Sequence, residues 1–297
     1  MSTTTTSWII DTDAGMDDLL AIQCLSQPCI LTTVGGVLSA SHAADTLQKL
    51  FPSLDIAIGL DSPNENAVPD WLQQYRSNTV ASLLPATQGL PQSPPFSNAW
   101  TMVRNHLLQS AEKSVNLLCL GPLTNVAHWF TQCGLSIKIR SIWIMGGNHP
   151  HHQQPEFNFH WDPRAAQTVL QMKHLTDKIY LVTACVSSRE QLIPTDDAFA
   201  EFLERTQRDS EFFRRLLEHD GSGHFVSYDP VCAFASQHPE HVGSETIPLQ
   251  VQVDGLLKRD SSGPGIRVAR KISFQPYYFD WIYAQTTTKH SIQSPIV

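Results

Sequence analysis

The chain has 297 residues, of which 41% are hydrophobic and 16% are charged, and its formal net charge is −8. This composition can bury a sizeable core and excludes wholesale disorder. An acidic chain without a Lys/Arg cluster is a poor candidate for binding nucleic acid or an anionic membrane, and no apolar run approaches the ~20 residues that a membrane span requires.

Short apolar runs alternate with helical patterns along most of the chain. The predicted strands cover residues 7–11, 31–37, 55–60, 115–121, 141–147 and 179–186. The predicted helices cover residues 17–26, 39–51, 97–112, 122–133, 163–173, 196–206, 210–219 and 229–237. The early strands are too continuously apolar to leave one face in solvent, which is typical of a parallel sheet covered on both faces. The alternation predicts a doubly wound, mostly parallel, Rossmann-like α/β sheet with helices on both faces.

Two segments depart from this alternation. Residues 248–255 and 266–272 predict a small late hairpin, with SSGPG as its turn. Residues 61–96 contain six prolines, so we expect an irregular lid or substrate loop there. No repeat or linker divides the chain, and a single domain over residues 1–297 is predicted.

The cysteines and the N-terminus both favour a cytoplasmic protein. Six cysteines form no CxxC pair, and buried, reduced thiols are their simplest interpretation. The first residues, MSTTTTSW, have neither a basic region nor an apolar core, so no signal peptide is predicted.

Four aspartates lie where the first predicted strand turns into the first helix, in DTDAGMDD: Asp11, Asp13, Asp17 and Asp18. Ligands of open α/β sheets bind at this edge. Helix capping accounts for Asp17 and Asp18, since negative charge is favourable at a helix N-terminus. It does not account for four carboxylates, which repel one another unless a cation offsets them. A hard divalent cation with oxygen ligands is the simplest explanation.

Two acidic-loop chemistries compete for this motif. In haloacid-dehalogenase-type Mg²⁺ phosphatases a DxD motif ends the first strand, but Thr or Val is usual at the position of Gly15. DTDAGMDD resembles more closely the DxDxGxDD signature of the inosine/uridine-preferring nucleoside hydrolase family. Further segments are similar to that family in the same order, namely LGPLTNVA (120–127), IMGG (144–147), PEFNFHWDPRAA (155–166) and YDPVCAFA (228–235). The chain is therefore identified as a member, with the nucleoside hydrolase fold.

The resemblance implies a bound Ca²⁺ and names its ligands. These are the side chains of Asp13, Asp18 and Asp229 and the main-chain carbonyl of Leu120, an all-oxygen set of the kind that Ca²⁺ favours. Asp11 is expected to orient the loop by hydrogen bonds rather than to contact the metal.

The implied reaction is hydrolysis of the N-glycosidic bond of a ribonucleoside through an oxocarbenium-like transition state. Asp13 would be the general base for a metal-bound water, which the metal makes more acidic. Asp17 would bind a ribose hydroxyl and stabilise positive charge on the sugar. Glu156 and Asn158 would hold the 5′ side of the ribose, whereas Asp162 is expected to cap the following helix.

The group that activates the leaving base is the first departure from the family pattern. Tyr228 stands before the matched Asp-Pro, where family subgroups carry His, Trp or Cys. A tyrosine is a weak acid that still donates a hydrogen bond. The acid therefore stays open between Tyr228, His224 and the histidines of the NHPHH loop, which are His149, His151 and His152.

Two further departures affect the sugar and base pockets. Val37 replaces a usual Asn, so one polar contact is missing or comes from Ser39 or Ser41. The family's His-Gly loop near residues 80–90 is absent, and Asn148 is the one candidate for a sugar contact after MGG. Four aromatic residues are candidates for stacking on a nucleobase, although each is also an ordinary core residue: Trp71, Trp100, Trp161 and Phe225.

Two interpretations of function remain. The first is an active, cytoplasmic, Ca²⁺-dependent nucleoside N-ribohydrolase of purine or pyrimidine salvage, for which the resemblance implies a homodimer or homotetramer. The alternative is a catalytically weak or inactive member that binds ribosides or acts as an interaction protein, which Val37 and Tyr228 keep open. Neither interpretation includes nucleic acid or a membrane as a partner.

Overall fold

The computed structural model describes residues 7–25, 30–64, 68–83, 96–132, 134–186, 196–214, 227–272 and 275–287. Its strands are β1 (Ser7–Thr12), β2 (Ile30–Thr33), β3 (Ile56–Ile58), β4 (Ser97–Asn98), β5 (Val115–Cys119), β6 (Ile139–Met145), β7 (Ile179–Val182), β8 (Val242–Val251), β9 (Leu257–Arg259) and β10 (Gly265–Ile272). Its helices are α1 (Met16–Cys24), α2 (Ala40–Leu50), α3 (Asp70–Leu83), α4 (Ala99–Gln109), α5 (Thr124–Gln132), α6 (Phe157–Trp161), α7 (Pro163–Gln171), α8 (Asp196–Asp209), α9 (Tyr228–Gln237) and α10 (Gln275–Thr287).

The strands form one sheet in the order β4-β3-β2-β1-β5-β6-β7-β10-β8-β9. All neighbours from β4 to β10 in this order pair in parallel, and β8 is antiparallel to both β10 and β9. The chain adds strands outward from β1 on one side and outward from β5 on the other. The loops that leave β1 and β5 therefore diverge, which makes a switch point at the carboxyl edge of the sheet. The prediction of a doubly wound, mostly parallel α/β sheet is confirmed.

Strand β1 shows why the sheet needs helices on both faces. Ile9 is 1% exposed and packs in a core that includes residues of α4, α5 and α7. Ile10 is fully buried in a second core on the opposite face, with residues of α1, α2, α9 and α10. Burying such a side chain contributes roughly 1.5–3 kcal/mol, so a continuous apolar run stabilises a strand only when both faces are covered.

Five parallel strands end before the apolar runs that predicted them. β2 ends at Thr33 and β5 at Cys119, although the runs continue to residues 37 and 121. β3, β6 and β7 likewise end early. The extra residues are apolar because their loops are also buried, as Val34 and Leu120 show. The strand-to-helix loops thus belong to the interior.

The predicted helices are found within a few residues of their expected bounds, as far as the described residues reach. Of the predicted helix 210–219, residues 211–214 are helical and 215–219 lie outside the described residues. The prediction that residues 61–96 are irregular is wrong for α3. Pro69 precedes this helix instead of interrupting it, so the prolines bracket a helical segment. Helices α6 and α10 were not predicted.

The late hairpin is larger than predicted. β8 begins at Val242 and ends at Val251, because Gly255 forms a turn with a φ of 90° and leads into β9. The SSGPG segment therefore follows β9, and β10 returns to pair with both β8 and β7. The hairpin is in this way part of the main sheet.

Two further observations concern the cysteines and the helices. Among the described cysteines, Cys24, Cys119 and Cys232 are buried, Cys185 is partly buried, and all four are free. No helix within the described ranges is both long and apolar enough to cross a membrane. A single domain over residues 1–297 stays a prediction.

Candidate active site

A cavity of about 430 Å³ opens at the carboxyl edge of the sheet, where the loops after β1 and β5 diverge. Loops after five strands and the start of α9 contribute to its wall. The lining residues are Asp13, Asp17, Asp18, Val37, Trp71, Leu72, Tyr75, Leu120, Met145, Asn148, Glu156, Phe157, Asn158, Ala184, Tyr228 and Asp229. Ten residues were predicted as metal ligands, sugar contacts or the acid, apart from the histidines of the NHPHH loop. Nine of them line this one cavity: Asp13, Asp17, Asp18, Leu120, Asn148, Glu156, Asn158, Tyr228 and Asp229. The tenth, His224, lies outside the described residues.

The loop after β1 is tightly turned and holds Asp13 in place. Ala14 has a φ of 57°, a left-handed conformation that is uncommon for a residue with a Cβ atom. The carboxylate of Asp13 accepts hydrogen bonds from the backbone N–H of Val37 at 2.8 Å and of Gly15 at 3.4 Å. Gly36 permits this approach, because a Cβ atom there would lie 2.1 Å from Asp13 Oδ2. The backbone of Val37, rather than its side chain, supplies the polar contact at this position.

Three further carboxylates converge beside Asp13. Oxygen atoms of Asp17, Asp18 and Asp229 all lie within 4.8 Å of one another. Two oxygens on opposite sides of a Ca²⁺ ion are about 5 Å apart, since each bond is about 2.3–2.6 Å long. Asp229 Oδ1 is also buried without a hydrogen-bond partner among the described residues. The donor set and its spacing fit a hard divalent cation.

Without a cation, this cluster raises the pKa of every carboxylate in it. Burial, followed by the charge of Asp18, raises the pKa of Asp13 well above its ordinary value. Burial, with the charges of neighbouring aspartates, raises the pKa of Asp17 and of Asp18 to about 6 each. Burial, followed by Asp18 and Asp17, raises the pKa of Asp229 well above the usual range. A cation would remove this repulsion.

Asp11 points into the protein and joins three elements. Its Oδ1 accepts hydrogen bonds from Thr32 Oγ1 at 2.7 Å and from Asn125 Nδ2 at 2.8 Å. Asn125 also donates to the carbonyl of Thr33 at 2.9 Å and accepts from the N–H of Leu60 at 2.8 Å. Asp11 and Asn125 therefore connect the ends of β1 and β2, the loop after β3 and the start of α5, below the cavity.

Asn158 and Glu156 use much of their hydrogen-bonding capacity within the protein. Asn158 Nδ2 donates to the Leu120 carbonyl at 2.6 Å, which leaves that oxygen a second lone pair. The Glu156 carboxylate caps α6, accepting from the N–H groups of Asn158, Gly147 and Phe159 at 2.8, 2.8 and 3.2 Å. Asp162 caps α7, as predicted, by accepting from the N–H of Ala165 at 2.9 Å.

Aromatic side chains form the outer wall of the cavity. Trp71, which is 59% exposed, makes an edge contact with Phe157 at a centroid distance of 6.4 Å. Tyr228 also lines the cavity, near Asp17, and its partial burial, followed by the charges of Asp17 and Glu156, raises the pKa of its hydroxyl. Trp161 stacks on Phe157 at 5.1 Å without lining the cavity.

Several candidates lie elsewhere. Trp100 packs against His128, and Phe225 is outside the described residues. The histidines after Asn148 line a separate cavity with Gln153 and Cys185, where His149 contacts Arg270. Ser39 caps α2, and neither it nor Ser41 lines the cavity at the carboxyl edge of the sheet, so the expectation that they replace the missing Asn contact is not supported.

Several residues that support or line the site had no predicted role, including Phe157, Asn125, Tyr75 and Arg76. Asn125 belongs to the GPLTN segment but received no role. Tyr75 lines the cavity from α3, and Arg76 donates to the carbonyls of Gly36 and Val37, both at 2.7 Å. Recognition of a helix after Pro69 would have placed Trp71 and Tyr75 one turn apart on the same face. The contacts of Arg76 had no sequence signal.

Comparisons with known proteins identify a family. The profile of the inosine-uridine preferring nucleoside hydrolases matches residues 8–278. A probable uridine nucleosidase 2 from Oryza sativa subsp. japonica is 26% identical over 285 residues, covering 86% of this chain and 80% of that protein. The non-specific ribonucleoside hydrolase RihC from Escherichia coli O127:H6 is 28% identical over 242 residues, covering 76% of this chain and 77% of its own.

Solved structures share the fold. A plant nucleoside hydrolase superposes with a TM-score of 0.78 at 20% identity, covering 95% of this chain and 99% of that one. An inosine-uridine preferring nucleoside hydrolase from Bacillus anthracis gives a TM-score of 0.75 at 20% identity, with the same coverage.

Proposed function

The chain belongs to the inosine-uridine preferring nucleoside hydrolase family, and from this premise we propose that it hydrolyses the N-glycosidic bond of a ribonucleoside to free base and ribose. The identification of the chain as a nucleoside hydrolase from its sequence motifs is confirmed. One observation carries the proposal further. Carboxylates of Asp17, Asp18 and Asp229 converge within 4.8 Å in a cavity that also carries aromatic side chains.

We propose Ca²⁺ as the cofactor, held by the carboxylates of Asp13, Asp18 and Asp229 and by the carbonyl of Leu120. Asp18 and Asp229 belong to the group of converging carboxylates, and Asp13 adjoins Asp18. All four residues line the cavity, and every donor is an oxygen, which favours Ca²⁺ over a softer metal. When bound, the ion would offset the carboxylate charges and make the attacking water more acidic. The hydrogen bond from Asn158 would fix the direction of the Leu120 carbonyl.

Asp13 is the proposed general base. The N–H of Val37 holds its Oδ2 atom, and the longer contact from Gly15 leaves its Oδ1 atom less engaged. The carboxylate therefore has a defined orientation and an acceptor site for the proton of the attacking water. Arg76 supports this arrangement by holding the carbonyls of Gly36 and Val37.

The sugar is proposed to lie between Asp17 and the Glu156–Asn158 segment. Asp17 would accept a hydrogen bond from a ribose hydroxyl, and its negative charge would stabilise the positive charge that develops on the sugar. Glu156 and Asn158 would contact the 5′ side, and Asn148 would contact the sugar. Each Glu156 oxygen already accepts backbone N–H groups, so the carboxylate is positioned before substrate arrives.

The nucleobase is proposed to lie against the aromatic wall. Trp71 and Phe157 offer ring faces on which any base can stack. Tyr228 would donate a hydrogen bond to the departing base, and the raised pKa of its hydroxyl keeps it protonated at neutral pH. His224 remains a proposed alternative donor. The histidines of the NHPHH loop line a different cavity, which disfavours them as the acid.

Three finer points remain predictions. These are a homodimer or homotetramer, a cytoplasmic location and a role in nucleoside salvage. Catalytic weakness with retained riboside binding is the alternative to an active enzyme.

Release of free ribose tests the proposal. Inosine, uridine, adenosine, guanosine, cytidine and 5′-substituted nucleosides are incubated with the Ca²⁺-loaded protein. We expect release from at least one nucleoside, and we expect a chelator to abolish it. Asp13→Asn preserves the size of the side chain but removes the base, so release should fall by about 100-fold or more, within the usual range for general-base catalysis.

The control for these assays is a binding measurement on the same samples. If Ca²⁺ and nucleoside bind but no nucleoside releases ribose, hydrolysis is refuted and the riboside-binding alternative is supported. If ribose release persists in metal-free buffer or in Asp13→Asn, the proposed cofactor or base is wrong.

A further inference from the structure

A second group of metal-ligating side chains lies outside the cavity, where α9 ends. His238 follows the last turn of this helix, and Glu240 and His241 belong to the 3₁₀ turn Pro239–His241 that leads into β8. One ligand atom from each of the three side chains lies within 4.8 Å of the others. The proposed hydrolase reaction uses none of these residues.

The spacing of these atoms is close to that of a tetrahedral zinc site. His238 Nδ1 lies 3.5 Å from Glu240 Oε1, and His241 Nε2 lies 3.9 Å from the same oxygen. With zinc bonds of about 2.0–2.2 Å, neighbouring ligand atoms in a tetrahedron are about 3.4 Å apart. The ligand atoms of His238 and His241 lie within 4.8 Å of each other, so side-chain rotations would bring all three atoms to bonding distance of one ion.

Phe234 holds both imidazoles in place before any ion binds. Its ring lies 4.9 Å from the ring of His238 and 6.2 Å from that of His241. The N–H of His238 donates to the Phe234 carbonyl at 2.9 Å, and the N–H of His241 donates to the His238 carbonyl at 2.9 Å. Because the backbone and both rings are already held, ordering the two imidazoles would cost little further conformational entropy, and the exposed Glu240 side chain is the main group that binding must order.

The surroundings also favour a cation. The carbonyl end of α9 carries partial negative charge. The side chain of His238 is 36% exposed, that of Glu240 63% and that of His241 24%. Solvent can therefore reach the ion and supply a fourth ligand. Two imidazoles and one carboxylate are ligands typical of Zn²⁺, whereas Ca²⁺ takes oxygen ligands. This group thus differs in chemistry from the carboxylate cluster of the active site.

We propose that His238, Glu240 and His241 bind one Zn²⁺ ion, with water as the fourth ligand. The ion links the end of α9 to the turn before β8. The first residues of the same helix, Tyr228 and Asp229, line the catalytic cavity. Zinc therefore stabilises the helix that carries a proposed Ca²⁺ ligand, without taking part in the reaction.

Equilibrium dialysis with metal analysis tests the proposal on the full chain. Saturating Ca²⁺ is present throughout, so that the carboxylate cluster does not compete for zinc. We compare the wild type with three ligand variants, His238→Gln, Glu240→Gln and His241→Gln. The control is His174→Gln, because His174 is an exposed histidine outside the group. We expect the wild type and the control to bind one more equivalent of Zn²⁺ than the other variants.

Affinity and stability give independent measures. Each ligand variant should weaken zinc binding by roughly 100-fold or more, because even a second-shell change costs about 10- to 100-fold. Zn²⁺ should raise the melting temperature of the wild type and of His174→Gln, but not of Glu240→Gln. Equal zinc stoichiometry and equal melting shifts in all five proteins would overturn the proposal.

Discussion

Removal of divalent cations should make the stability of this protein fall as pH rises. In the cation-free protein, burial together with neighbouring charges raises the pKa of Asp17 and Asp18 to about 6, from a reference value of 3.8. Between these two values the folded state binds more protons than the unfolded state. The free energy of unfolding therefore decreases as pH increases through about 6, and the stabilisation is fully present only at low pH.

The size of the effect follows from the same pKa values. A tenfold change in the equilibrium is worth about 1.4 kcal/mol, so the shift of Asp17 or of Asp18 alone corresponds to about 3 kcal/mol between about pH 4 and pH 8. Asp13 and Asp229 act in the same direction. Because the four carboxylates share one site, their contributions are not additive, and we expect a total loss of at least about 3 kcal/mol. Bound Ca²⁺ should prevent most of this loss of stability.

Urea unfolding of the metal-free protein and of the Ca²⁺-loaded protein at several pH values between about 5 and 8 measures the effect. The difference between the two free energies of unfolding should grow with pH. Asp18→Asn should flatten the pH dependence of the metal-free protein, whereas Asp55→Asn, an exposed carboxylate outside the site, should not. The reasoning is refuted if the free energy of unfolding of the metal-free protein increases from pH 5 to pH 8, or if Ca²⁺ increases it equally at these two pH values.

Three substitutions test the walls of the cavity. Gly36→Ala places a Cβ atom 2.1 Å from Asp13 Oδ2, so displacement of the carboxylate should lower kcat/KM by about 100-fold, and unchanged steady-state kinetics would contradict this. Arg76→Met removes two charged hydrogen bonds to the carbonyls of Gly36 and Val37, each worth about 1.5–3 kcal/mol, so the urea midpoint should fall; an unaltered midpoint would show that these bonds do not stabilise the loop. Trp71→Ala removes a stacking face worth about 1–3 kcal/mol, so KM should rise by about 10-fold with little change in the melting temperature, and an unchanged KM would place the base elsewhere.

The parts of the site that lie close in sequence could be predicted, because a local motif carries its own geometry. DTDAGMDD follows an apolar strand and precedes a helix, which places its aspartates at the carboxyl edge of a parallel sheet. Asn125 and Arg76 could not be assigned in this way. Asn125 contacts a residue 114 positions away, and Arg76 contacts carbonyls 39 and 40 positions away. Such pairs are set by the folded arrangement of elements rather than by any local pattern.

The NHPHH loop shows the opposite error, in which nearness in sequence suggested a shared site. Asn148 lines the catalytic cavity, but the adjacent His149 lines another one and contacts Arg270. The N–H of His149 donates to Cys185 Sγ, which holds the loop in this direction. A histidine-rich loop beside a cavity-lining residue therefore predicts exposed imidazoles, but not the cavity that they face.

The four aspartates of the first loop differ in what surrounds them, and this difference explains how one short segment tolerates them. Asp11 Oδ1 accepts hydrogen bonds from protein groups that join neighbouring strand ends, its buried Oδ2 has no partner among the described residues, and the residue does not line the cavity. Asp13 is held by backbone N–H groups yet borders the cavity, and Asp17 and Asp18 meet Asp229 from the far end of the chain. Desolvation is the largest cause of the raised pKa in each of the four. The fold thus uses one carboxylate for its own assembly and leaves three facing a common cavity. The repulsion among these three would be relieved by a divalent cation and a polyhydroxylated substrate.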